Sequence, residues 1–108
     1  MLQLIIRIIL ALAPLLPVDT ADRRPVLLVV TDSVSCAQCI KDKPTVDKIR
    51  KLGRVQVVIV EFNDKDNAKL VQYLKVKGTP TYLLWDQAKE IGRTHDVQIM
   101  YKAIKGAK

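Results

Sequence analysis

The sequence predicts an α/β fold: a central mixed four-stranded sheet in the order βαβαββα, flanked by helices. Three observations predict it. Val26-Leu27-Leu28-Val29-Val30 and the stretch from Val55 to Phe62 are largely apolar runs rich in β-branched residues, separated by a segment with helical spacing. A strand, helix, strand series implies parallel pairing through a right-handed crossover. Thr81-Tyr82-Leu83-Leu84-Trp85, a short polar turn and Lys89 to Arg93 then follow the pattern of a hairpin.

Asp22-Arg23-Arg24-Pro25 is a polar break, and the apolar run after it reads as a central strand buried on both faces. Asp32 to Ser35 supplies turn and cap residues. From Cys36 to about Leu52 the apolar positions Ile40, Val46, Ile49 and Leu52 recur at helical spacing until Gly53 stops the pattern, with Pro44 expected to kink the helix. The Val55 to Phe62 run reads as a second strand of the buried type. Asn63 and Asp64 are cap candidates for a short helix carrying Leu70, Val71 and Leu74 on one side. Gly78-Thr79-Pro80 breaks the chain before the third strand, and Asp86-Gln87-Ala88 is the hairpin turn into the fourth. A last helix has Val97, Met100, Tyr101 and Ile104 on one face, with Lys102, Lys105 and Lys108 off it.

The chain has 108 residues, of which 49% are hydrophobic and 27% charged. That is enough for one packed domain and excludes wholesale disorder. Two cysteines exclude a scaffold held by many disulfides. The net charge of +7 is spread over the helices among interleaved acids such as Asp42, Asp47, Asp64 and Asp66. Solvated helix faces account for it, and no aromatic residues lie among the basic runs to stack bases, so no nucleic-acid partner is expected.

Residues 1–18 differ from the rest, being apolar except for Gln3 and Arg7. An arginine followed by an unbroken apolar run resembles a secretory signal, while Pro14 and Pro17 disfavour a stable spanning helix. Residues 1–21 are therefore expected to be a signal peptide or an N-terminal membrane anchor, and residues 22–108 the folded domain. The expected location is extracytoplasmic, periplasmic or secreted, or membrane-anchored. It is cytoplasmic if the segment is an extra strand or helix of the domain instead.

The two cysteines lie in Cys36-Ala37-Gln38-Cys39, at the turn between the first strand and the first helix. Their spacing admits a redox pair, a metal site, a staple or two inert thiols. A zinc site would need about four ligands, and beyond the cysteines the chain offers only His95 and carboxylates. Two thiolates can bind Cu(I), and closing so short a loop removes little entropy from the unfolded chain. At a helix N-terminus a thiolate faces unpaired backbone N–H groups and the positive end of the macrodipole, which lower its pKa. In a redox pair this makes Cys36 the attacking nucleophile and Cys39, one turn in, the resolving thiol.

With Pro44 five residues after Cys39, and Gly78-Thr79-Pro80-Thr81 leading into a strand, residues 26–105 resemble the thioredoxin family. The resemblance implies the thioredoxin fold, a cis peptide bond before Pro80, and Thr79 and Pro80 as the edge on which a client peptide docks. It implies a thiol–disulfide oxidoreductase that exchanges disulfides with client proteins, is recharged by an upstream redox partner, and acts as a monomer without bound cofactor or metal. The alternatives are a Cu(I)-binding metallochaperone or a non-catalytic binding module of the same fold. The chain departs from thioredoxins proper at Asp32 and Ser35, where the family has aromatic residues, and at Ala37-Gln38 inside the motif. Val30 stands where the family buries an aspartate that assists the resolving thiol. Glu61, near the end of the second strand, is a candidate substitute if that strand is central. His95 reads as a solvated loop residue and Trp85 as core packing.

Overall fold

The computed structural model describes residues 21–106, so the leader or anchor expected over residues 1–21 lies outside the described residues except for Ala21. Strand β1, Val26–Thr31, is interior: it pairs in parallel with β2, Gln56–Glu61, and antiparallel with β3, Thr81–Asp86. Strand β4, Lys89–Thr94, pairs antiparallel with β3, which gives the order β2-β1-β3-β4. Four consecutive residues of β1, Leu27 to Val30, are buried because layers of side chains cover both faces of the sheet. Leu28 and Val30 pack with Leu70, Val71, Leu74 and Trp85 on one face. Leu27 and Val29 pack with Val46, Ile49, Tyr82, Met100 and Ile104 on the other.

Helix α1, Ala37–Leu52, begins at Cys36 as N-cap and ends at Gly53, whose φ of 68° is the left-handed conformation that closes a helix. Gly53 N–H donates to the Arg50 carbonyl at 3.2 Å. Pro44 lies inside α1 at an exposed position. After β2, Asp64 caps a 3-10 turn, Lys65–Asn67, by accepting the Asp66 N–H, and helix α2, Ala68–Leu74, buries the expected Leu70, Val71 and Leu74. The hairpin between β3 and β4 turns on Gln87 and Ala88, with φ of 51° and 63°. Helix α3, Val97–Gly106, buries Val97, Met100 and Ile104 and starts at Asp96, whose side chain accepts the Gln98 N–H at 2.8 Å.

One expectation needs correction. The second strand reads in sequence as buried on both faces, yet among the described residues β2 is at the sheet edge, with Val58 and Val60 in the core and Ile59 39% exposed. An unbroken apolar run records hydrophobicity, which an edge strand shares with a central one when one of its faces is only partly covered.

The register places the site. Val30 pairs with Thr81, so Pro80 sits just beyond the sheet end at which the chain leaves β1 for Cys36. Thr31 pairs with Glu61 at that same end.

Candidate functional site

The turn from β1 into α1 is built around Asp32. Its Oδ1 accepts the backbone N–H groups of Val34 and Ser35, each at 3.0 Å. Its Oδ2 accepts the Ser35 hydroxyl and, at 2.9 Å, the Asn63 amide. These donors, the Ser35 hydroxyl foremost, hold the Asp32 carboxyl below its ordinary pKa. The sequence reads Asp32 as one of several turn and cap residues; the fold uses its carboxylate to fix the loop in front of Cys36. The Asp32 carbonyl also accepts the Cys36 N–H at 3.3 Å.

Cys36 is half-buried and has the extended conformation of an N-cap, φ −98° and ψ 102°. Its Sγ accepts the Cys39 N–H at 3.0 Å, which puts sulfur where helix ends attract negative charge. The two cysteines form a disulfide with Cα atoms 5.2 Å apart, and Cys39 is 6% exposed. A half-buried and a buried cysteine are thus joined at one helix terminus.

The Thr79–Pro80 peptide bond is cis. Pro80 is buried and Thr79 half-buried. Two contacts fix this segment: the Thr81 hydroxyl donates to the Gly78 carbonyl at 2.7 Å, and His95 Nδ1 lies 2.9 Å from the Pro80 carbonyl oxygen. His95 is exposed, as its loop position suggests, but its ring binds the proline segment and does not merely face solvent. Trp85 packs in the core at 6% exposure.

Glu61 is not brought behind Cys39. It accepts the Ser33 N–H at 3.2 Å and lines a groove of about 270 Å³ with Val29, Lys43, Val46 and Ile59, a lining that does not include Cys39. Edge placement of β2 removes the condition on which its candidacy depended.

Sequence reasoning missed a different carboxylate. Asp42 reads as one of the interleaved acids of a solvated helix, but it is 5% exposed. Its Oδ2 accepts the Tyr82 hydroxyl and its Oδ1 the Gln38 amide, both at 2.7 Å. Burial, followed by the Asp42 hydrogen bond and charge, pushes the Tyr82 phenol above its ordinary pKa, so it remains a neutral donor. A signal was present: Cys39, Asp42, Val46 and Ile49 fall at helical spacing on one stripe, all buried. Among the described residues no three His, Cys, Asp or Glu side chains group to hold a metal ion.

No protein-family model matches the chain, and no curated protein does. Solved structures do match. A thioredoxin from Nicotiana alata is 21% identical with a TM-score of 0.68, covering 78% of this chain and 73% of its own. The chain has the thioredoxin fold. Mitochondrial thioredoxin 3 from Saccharomyces cerevisiae matches at 18% identity and a TM-score of 0.68, over 80% of this chain and 81% of its own. Thioredoxin O2 from Arabidopsis thaliana, in its oxidized state, matches at 16% identity and 0.67, over 77% and 74%. Within this thioredoxin fold the disulfide occupies the N-terminus of α1, and the cis proline opens β3.

Proposed function

We propose that the protein is a thiol–disulfide oxidoreductase acting on client proteins through Cys36 and Cys39. The observation that supports this best is the asymmetry of the pair: a half-buried sulfur at the helix N-cap is bonded to a buried one a turn further in. In the reducing direction the Cys36 thiolate attacks a client disulfide, forming a mixed disulfide and releasing one client thiolate. Cys39, after losing its proton, attacks Cys36 Sγ. The intramolecular disulfide forms, the second client sulfur leaves as thiolate, and two electrons have passed from dithiol to client. The reverse sequence oxidises a client, and an upstream redox partner restores the starting state in either direction. No bound cofactor enters the scheme. Thr79 and Pro80 form the docking edge, where a residue without an N–H leaves the neighbouring backbone free to pair with an extended client. Residues 1–21 carry the domain out of the cytoplasm or anchor it to a membrane, which sequencing of the mature N-terminus tests.

The test of the assigned roles is covalent trapping. Cys39→Ser accumulates reductant-sensitive mixed disulfides with client proteins and Cys36→Ser does not. Equal trapping by both variants, or by neither, would overturn the assignment.

A further inference from the structure

Cys39 attacks the mixed disulfide only as a thiolate, and at 6% exposure its proton needs a nearby acceptor. Asp42 lies three residues further along α1 on the same buried stripe. Side chains on a helix lean toward its N-terminus, so a carboxylate at i+3 covers the turn that carries residue i. The bond from Gln38, the residue before Cys39, to Asp42 Oδ1 at 2.7 Å shows this lean. Tyr82 holds the other oxygen, so the two side chains bonded to the carboxylate are both neutral donors.

We propose that Asp42 takes the proton of the Cys39 thiol, directly or through one water, in the step that resolves the mixed disulfide. This rests on the oxidoreductase reading above. The proton moves from Cys39 Sγ to Asp42, and the Cys39–Cys36 bond forms as the bond from Cys36 to the client sulfur breaks. The proton then leaves to the departing client thiolate or to water past exposed Gln38. From β3 the titratable group bonded to Asp42 is Tyr82, on which the charge of Asp96 at the start of α3 also acts; on α1 itself Lys41 and Lys43 flank Asp42 in sequence and are exposed.

Single-turnover reduction of a peptide disulfide, followed over a range of pH, tests the role. Asp42→Asn slows resolution ~100-fold at neutral pH, and the difference shrinks in alkali, where hydroxide removes the proton. Slowing of the same size at every pH, alkali included, would reduce Asp42 to a packing role and sink the proposal. A second readout needs no turnover. With Cys36→Ser in the background, Asp42→Asn lowers the ultraviolet thiolate titration of Cys39 by about one pH unit, because a buried anion has been removed. An unmoved midpoint means the groups do not couple, and a lower midpoint with faster resolution means Asp42 only repels the thiolate; either overturns the proposal. Failure of the wild-type chain to reduce any disulfide would instead remove the oxidoreductase reading, and the step with it.

Discussion

Asp42 and Tyr82 bury a carboxylate and a phenol against each other, and each depends on the other for a hydrogen bond. Tyr82→Phe leaves Asp42 with the Gln38 amide alone and should cost about 1–3 kcal/mol at neutral pH, measured by urea denaturation. The pH dependence has a definite sign. The folded pKa of Tyr82 is raised above its unfolded value, so the stabilisation is complete below the ordinary tyrosine value of about 10 and is lost as pH climbs toward the folded value. Wild-type stability should therefore decline above about pH 10, and that part of the decline should be absent from Tyr82→Phe. Cys36 is legible in sequence because two cysteines at that spacing before a helix are rare in their own right. Asp42 is not, because a charged side chain in a helix bears no mark of what packs over it.

The elements are held at their ends by local conformation. Gly53 closes α1 with positive φ, and nothing lies within 4 Å of the place a Cβ would take, so the penalty for Gly53→Ala is backbone strain and not collision. It should destabilise by roughly 1–2 kcal/mol. The β3–β4 turn presents the opposite case, for Gln87 and Ala88 both adopt positive φ without being glycine. Ala88→Gly should therefore stabilise by about 0.5–1 kcal/mol, since the relieved strain exceeds the added entropy of the unfolded chain. Chemical denaturation of the two variants in parallel checks both signs. The sequence shows a turn at Asp86-Gln87-Ala88, but only the structure assigns the left-handed positions to the last two.

Across the whole molecule, stability comes from two apolar layers on either side of one sheet, and the disulfide adds little. Closing a loop of a few residues restricts the unfolded chain by about 2 kcal/mol. Reduction should thus lower the unfolding free energy by no more than about that amount and leave the domain folded, as redox cycling requires. Denaturation with and without a thiol reductant measures this, and unfolding on reduction would show that the disulfide is a staple. The register does the rest of the functional assembly. Pairing Val30 with Thr81 brings Cys36 and Pro80, 44 residues apart in sequence, to one end of the sheet.

Local features are legible in the residues alone: the order of the elements, the helix that begins at Cys36 and stops at Gly53, and the cysteine pair at a helix N-terminus. Periodicity, caps and breakers act over a few residues, so they can be read without knowing what lies opposite. Tertiary structure alone decided that β2 takes the sheet edge, that Glu61 turns to Ser33, that His95 reaches the Pro80 carbonyl, and that Asp42 is buried against Tyr82. Each depends on which elements become neighbours, and the burial of a polar group is settled by the partner that packing brings to it.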